Sequence, residues 1–97
     1  MDNVERFEWD VANTFKSFVK HGVSQGEIEQ VFVNSPLLLL EDARHSELER
    51  RLHAYGKSAA GRLLQVAFTL RDSGKVIRVI SARPMSRKER LRYAQET

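Results

Sequence analysis

Two β-patterned runs joined by a four-residue turn constrain this chain more than anything else in it. From Leu63 to Leu70, the apolar Leu64, Val66, Phe68 and Leu70 alternate with Gln65, Ala67 and Thr69. Asp72-Ser73-Gly74-Lys75 has the composition of a turn, and Val76–Ala82 resumes as a β-branched run. A period of two sends one row of side chains to a core and the other to the opposite face, and a short polar turn closes the runs into an antiparallel hairpin. In the second run Ile77, Val79 and Ser81 fall on one face and Val76, Arg78 and Ile80 on the other. Arg83 keeps the parity of Ser81, and Pro84 ends the run. A two-stranded hairpin is marginal by itself in water, so the rest of the 97 residues must extend and cover it.

The flanking segments supply that cover. Phe7–Asp10, with Phe7 and Trp9 in alternation, reads as an opening strand. Val11, Phe15, Phe18 and Val19 follow helical spacing, and Lys20-His21-Gly22 closes the helix with cations and a glycine. Ser24-x-x-Glu27 is a capping box opening a second helix, with Ile28, Val31 and Phe32 inward, that stops before Pro36. Leu37–Leu40 reads as a short buried strand, and Leu52–Lys57 as another. Between them Asp42–Glu49 is polar, with Ser46-x-x-Glu49 placed to cap a helical turn. Ser86-x-x-Glu89 opens a last helix through about Ala94, apolar only at Leu91 and Ala94 and surrounded by Arg87, Lys88, Arg90 and Arg92. Phe7, Trp9, Phe15, Phe18, Phe32 and Phe68 are assigned to the core. The expected architecture is one α+β domain over residues 1–97, an antiparallel sheet packed with two N-terminal helices and a C-terminal basic helix.

Charge is divided unevenly. Residues 1–56 hold 6 Lys+Arg against 10 Asp+Glu, whereas residues 57–97 hold 10 against 3, so a net +3 conceals halves of −4 and +7. A concentrated cation of this kind suits a polyanion or an acidic protein surface. The absence of cysteine excludes disulfides, thiol nucleophiles and thiolate metal sites. The longest apolar run, Leu37–Leu40, is far short of a membrane span of about 20 residues, and the acidic N-terminus lacks the apolar segment of a secretory signal. The expectation is a cytoplasmic protein without membrane contact.

The basic half supplies the phosphate-binding candidates. Arg62, Arg71, Arg78 and Arg83 lie on or beside the hairpin, and a guanidinium fork suits phosphate because it makes two charge-assisted hydrogen bonds at fixed charge. Solvation and ion pairing with the acidic half account for the same arginines equally well. Of the three histidines, His21 sits where a helix C-terminus favours a cation. His45 is four residues from Glu49, on one face of any helical turn. His53 stands in a strand without an evident partner. None has metal-ligand spacing, so neither a metal nor another cofactor is expected. Tyr93 on the last helix can stack on a base or pack that helix onto the sheet.

The order of these segments resembles the BrnT family of toxins. The resemblance runs through Phe7-Glu8-Trp9-Asp10, Lys20-His21-Gly22-Val23-Ser24 and Val31-Phe32. It continues in Asp42-x-x-His45-Ser46-x-x-Glu49-x-Arg51, Gly56-x-Ser58-x-x-Gly61-Arg62-x-Leu64 and Phe68-Thr69-x-Arg71, and ends in Ile77-Arg78-Val79-Ile80-Ser81-Ala82-Arg83 and Glu89-Arg90-x-x-Tyr93. The chain departs from the family's usual residues at Asn13, Ser17 and Gln25-Gly26. The resemblance implies a RelE-like fold and a ribonuclease toxin of a type II toxin-antitoxin system. It also implies neutralisation by a BrnA-like ribbon-helix-helix antitoxin, in a hetero-oligomer that binds operator DNA through the antitoxin. Its motifs point to His21, His45, Glu49, Arg51 and Arg83 as catalytic candidates, with His45 or Glu49 as base and His21 as the competing choice. Lys20, Arg62, Arg71, Arg78 and Tyr93 are candidates for binding RNA, and Arg71 joins Arg51 and Arg83 as a phosphate clamp. A non-enzymatic module using the same cations to bind RNA or a protein is the alternative.

Overall fold

The structure, a computed structural model, describes residues 3–45 and 49–97. Five strands form one sheet: β1 (Arg6–Trp9), β2 (Leu38–Glu41), β3 (Arg51–Lys57), β4 (Leu63–Arg71) and β5 (Val76–Pro84), in the order β1-β5-β4-β3-β2. Helices α1 (Val11–His21) and α2 (Gln25–Val33) follow β1, α3 (Arg87–Glu96) follows β5, and a 3₁₀ turn spans Ala43–His45. The expected α+β composition is correct, but the sheet is not wholly antiparallel. β1 pairs with β5 in parallel, Glu8 opposite Arg78; the two strands are not consecutive, since α1, α2, β2, β3 and β4 separate them in the chain.

One face of the sheet carries the main core. Leu52, Phe68, Val79 and Trp9 form one row across the strands, and Ala54, Val66 and Ala82 another. Ile28 and Val31 of α2 are fully buried against this face. Gly56 is required where α2 crosses β3, since a Cβ there would stand 3.0 Å from the Val31 carbonyl oxygen. Gly22 ends α1 with a left-handed φ of 66° and donates back to Phe18, as the Lys20-His21-Gly22 stop requires. At α2 only half of the expected capping box forms. Ser24 accepts from the Glu27 amide, but the Glu27 carboxylate turns to Arg62 at 2.9 Å. The box opening α3 is complete in both directions.

Three further sequence expectations are overturned. Phe15 and Phe18 are not core residues: they stand 68% and 52% exposed, beside Val11 at 79% and Val19 at 69%. α1 lies along β5 by its small polar side instead, with the buried Ser17 hydroxyl accepting from the Ala82 amide at 3.2 Å. β2 is an edge strand with Leu39 exposed, not a buried one. And β5 does not alternate throughout: Ala67 faces Ser81 while Phe68 faces Val79, leaving Ile80 as the extra residue of a bulge. A bulge reverses side-chain parity beyond it, so Ala82 joins the core while Ser81 and Arg83 move to the face opposite Ile77 and Val79. The anticipated capping turn at Ser46 lies outside the described residues.

Candidate active site

The second sheet face is covered at one end only. There Tyr93 of α3 and Met85 pack with Tyr55 as a smaller core, and the Tyr93 hydroxyl donates to the Pro36 carbonyl. Arg83 secures this end, its guanidinium donating to both Glu89 carboxylate oxygens at 2.7 and 2.9 Å. The Arg83 contact, then burial opposing it, and the Ser86 amide leave the Glu89 pKa at about 2.

The other end is open and holds a cleft of about 520 Å³. Its floor follows from strand register: Arg51 lies opposite Thr69, Thr69 opposite Arg78, and Arg78 opposite Glu8. Arg71 projects two residues beyond Thr69 on the same face. The connection from β2 to β3 adds Arg44, His45 and Glu49, and Asp10 and Asn13 at the start of α1, with Val79 and Ile80 of β5, complete the lining. The fold therefore gathers His45, Glu49, Arg51, Arg71 and Arg78 in one place.

Their electrostatics are specific. Glu49 meets Arg71 through two contacts of 3.3 and 3.4 Å. The adjacent Thr69 hydroxyl and then Arg71 hold the Glu49 carboxyl below its usual pKa, so it is an anion at neutral pH. Arg78 has Glu8 and Asp10 only at 3.9 and 3.7 Å, contacts weak enough for a phosphate to replace. His45 does not use Glu49 as its partner, as the four-residue spacing suggested. Its Nδ1 lies 2.9 Å from Asp42 Oδ2, and His53 Nε2 lies 3.1 Å from the same oxygen. Burial works to raise the Asp42 pKa, but the hydrogen bond from His45 and the charges of both imidazoles outweigh it and leave it lowered. An ionised carboxylate only accepts, so Nδ1 of His45 carries a hydrogen, and in the neutral imidazole the lone pair is on Nε2.

Asp42 and His53 are the residues that sequence reasoning missed. Asp42 stands three before His45 in the quoted motif, and His53 shares the open face with Arg51 at a spacing of two. Their meeting depends on the pairing of β2 with β3, where the Asp42 amide donates to the Arg51 carbonyl at 2.9 Å.

The remaining candidates lie elsewhere. Arg62 binds the His21 and Gly22 carbonyls at the end of α1, together with Glu27. Lys20, His21 and Arg83 border a second groove of about 280 Å³ between α1 and β5, which shares Asn13 with the cleft. Tyr93 is 5% exposed and belongs to the smaller core. Among the described residues no group of three or more His, Cys, Asp or Glu is arranged to hold a metal ion, and no helix is long and apolar enough to cross a membrane.

Comparison with solved structures finds similarity to the 1.1 Å crystal structure of the Brucella abortus ribonuclease toxin, BrnT, with a TM-score of 0.63. The match has 20% identity and covers 87% of this chain and 100% of that one. No match is found among curated proteins. A family model described as the ribonuclease toxin, BrnT, of type II toxin-antitoxin systems matches residues 9–89. That span carries helices α1 and α2, the strands β2 to β5 that include those flooring the cleft, and Glu89, and the chain accordingly belongs to the BrnT family of type II ribonuclease toxins.

Proposed function

We propose that this chain is an endoribonuclease that cleaves RNA in the open-face cleft without a metal, and that it thereby inhibits translation and growth. The observation supporting this reading is the convergence of Arg44, Arg51, Arg71 and Arg78 with His45 and Glu49 in one cleft. Arginines bind the scissile phosphate and take up the charge that develops on it, a role worth about 100- to 1,000-fold per oriented donor. His45 Nε2, oriented by Asp42, takes the proton of the ribose 2′-hydroxyl. The 2′-oxygen attacks phosphorus, the bond to the 5′-oxygen breaks, and that oxygen is protonated from solvent water. The products are a 2′,3′-cyclic phosphate and a 5′-hydroxyl. Glu49 serves better as the anion that positions Arg71 than as the base, since its lowered pKa weakens its hold on a proton.

The groove bordered by Lys20, His21 and Arg83 continues from the cleft at Asn13 and gives the RNA strand a path along α1. Arg62 and Tyr93 act on RNA indirectly, through the α1 terminus and α3 that they hold. In the same reading the antitoxin is a BrnA-like ribbon-helix-helix protein, and the hetero-oligomer binds operator DNA through it.

Incubating the purified protein with RNA in EDTA tests the activity. Cleavage leaving cyclic phosphate ends, lost on Arg51→Ala, is the expected result. Retention of RNA without cleavage means a binding module and contradicts the proposal.

A further inference from the structure

α1 turns its amphipathic pattern outward. A surface helix ordinarily buries its apolar stripe, yet here Ser17 with its polar neighbours meets β5 while Val11, Phe15, Phe18 and Val19 face away from the sheet at 79%, 68%, 52% and 69% exposure. Positions 11, 15, 18 and 19 form one helical stripe. Beside it a groove of about 520 Å³ runs between α1 and the first turn of α2, with the fully buried Val23 in its wall and Ser24, Gln25 and Gly26 along its far edge. No acidic residue lines this groove. On the other flank of the stripe stand the exposed Lys16 and Lys20, neither with an ion-pair partner among the described residues.

We infer that this face is the docking surface for the antitoxin, and that the occupant is an amphipathic helix with an apolar stripe and acidic residues on the edge facing Lys16 and Lys20. The inference rests on the family's antitoxin partner and not on the assignment of the cleft. A patch of adjoining large apolar side chains marks an interaction surface. α1 uses its backbone groups internally and offers no strand edge, so the partner must satisfy its own backbone, which a helix does in such a groove. Charge decides the partner's sign: a basic rim meets an acidic edge. A second copy docked through the same face would bring the Lys16 and Lys20 rims together, which disfavours an isologous dimer. The Lys16 and Lys20 edge also borders the groove proposed for the RNA strand, so a docked antitoxin competes with RNA there, whereas Phe15 and Phe18 line neither the cleft nor that groove and separate antitoxin binding from RNA cleavage by mutation.

The probe is the cognate antitoxin, titrated against the protein and its variants. Phe15→Glu, at a position too exposed to matter for folding, is expected to weaken antitoxin binding by about 30-fold or more, the size of a hot-spot contact. RNA cleavage stays at the parent rate, and cells expressing this variant are no longer rescued by the antitoxin. Lys16→Glu is expected to weaken binding and make it less salt-sensitive, whereas Leu91→Glu on α3, exposed at 58%, leaves it unchanged. Parent-like antitoxin affinity of Phe15→Glu overturns the proposal. So does a finding that Phe15→Glu converts a dimer of the isolated chain into a monomer with antitoxin affinity intact, since the face would then serve a second copy. Loss of cleavage in an Arg51→Ala protein that still binds antitoxin bears only on the cleft.

Discussion

One carboxylate holding two imidazoles distinguishes the cleft at the level of single residues. Asp42 Oδ2 receives His45 at 2.9 Å and His53 at 3.1 Å, and this contact fixes which nitrogen of His45 can act as a base. Asp42→Asn can present an N–H where a carboxylate stood, which favours the other tautomer. Cleavage under single-turnover conditions is expected to fall more than about tenfold, or 1.4 kcal/mol, with the protein still folded by circular dichroism. His53→Ala leaves the Asp42–His45 contact and is expected to cost less. Arg83 and Glu89 make a different prediction. The Glu89 pKa is depressed from 4.5 to about 2. Its stabilisation is therefore complete above about pH 4.5 and lost as pH falls toward 2. With Arg83 partly exposed and the contact screened, Glu89→Gln is expected to lower stability by about 1–2 kcal/mol at pH 7. Urea unfolding at pH 7 and at pH 2.5 checks this, the difference shrinking at the lower pH.

Among elements, the bulge at Ile80 and the helix lying beside it shape the molecule. β1 pairs with β5 only from Val76 to Val79, and beyond that point Ser17 of α1 satisfies the amide of Ala82. Ser17→Ala leaves that buried amide unsatisfied and is expected to cost about 1–3 kcal/mol in denaturant unfolding. Gly56→Ala drives a methyl against the Val31 backbone, an overpacking expected to cost a similar about 1–3 kcal/mol. The elements themselves were legible because each carries a local signal: the Leu63–Leu70 alternation, the Ser24 and Ser86 caps, and Gly22. Their faces were less so. Helical spacing shows that Val11, Phe15, Phe18 and Val19 share a side but not whether that side meets the sheet or a partner. Strict alternation through Val76–Ala82 likewise carries no mark of a bulge, so sequence parity alone puts Arg83 on the face opposite its true one. The residue types of the cleft are legible, since motif and charge single out His45, Glu49, Arg51, Arg71 and Arg78, but the same signals single out His21, Lys20, Arg62, Arg83 and Tyr93, which the fold puts outside it. The Asp42–His53 contact is not legible, because it arises only from the register of β2 on β3.

At the scale of the whole molecule the charge split acquires a structural form. The cleft takes Arg71 and Arg78 from the basic half, while the acidic half contributes Arg51 from the adjoining strand together with Glu49, Asp10 and Asp42 as partners that hold cations and imidazoles in place. If these three arginines meet RNA phosphates, log binding constant against log salt has a slope of about −2 for single-stranded RNA, and Arg71→Ala reduces its magnitude by about 0.7. Filter binding across a salt series measures both. The central claim, that His45 in this cleft removes the 2′-hydroxyl proton, is tested most directly by the single-turnover cleavage rate of His45→Ala with saturating protein. The account predicts a loss of about 100-fold or more with RNA affinity and unfolding midpoint near those of the parent; cleavage within a few-fold of the parent rate contradicts it.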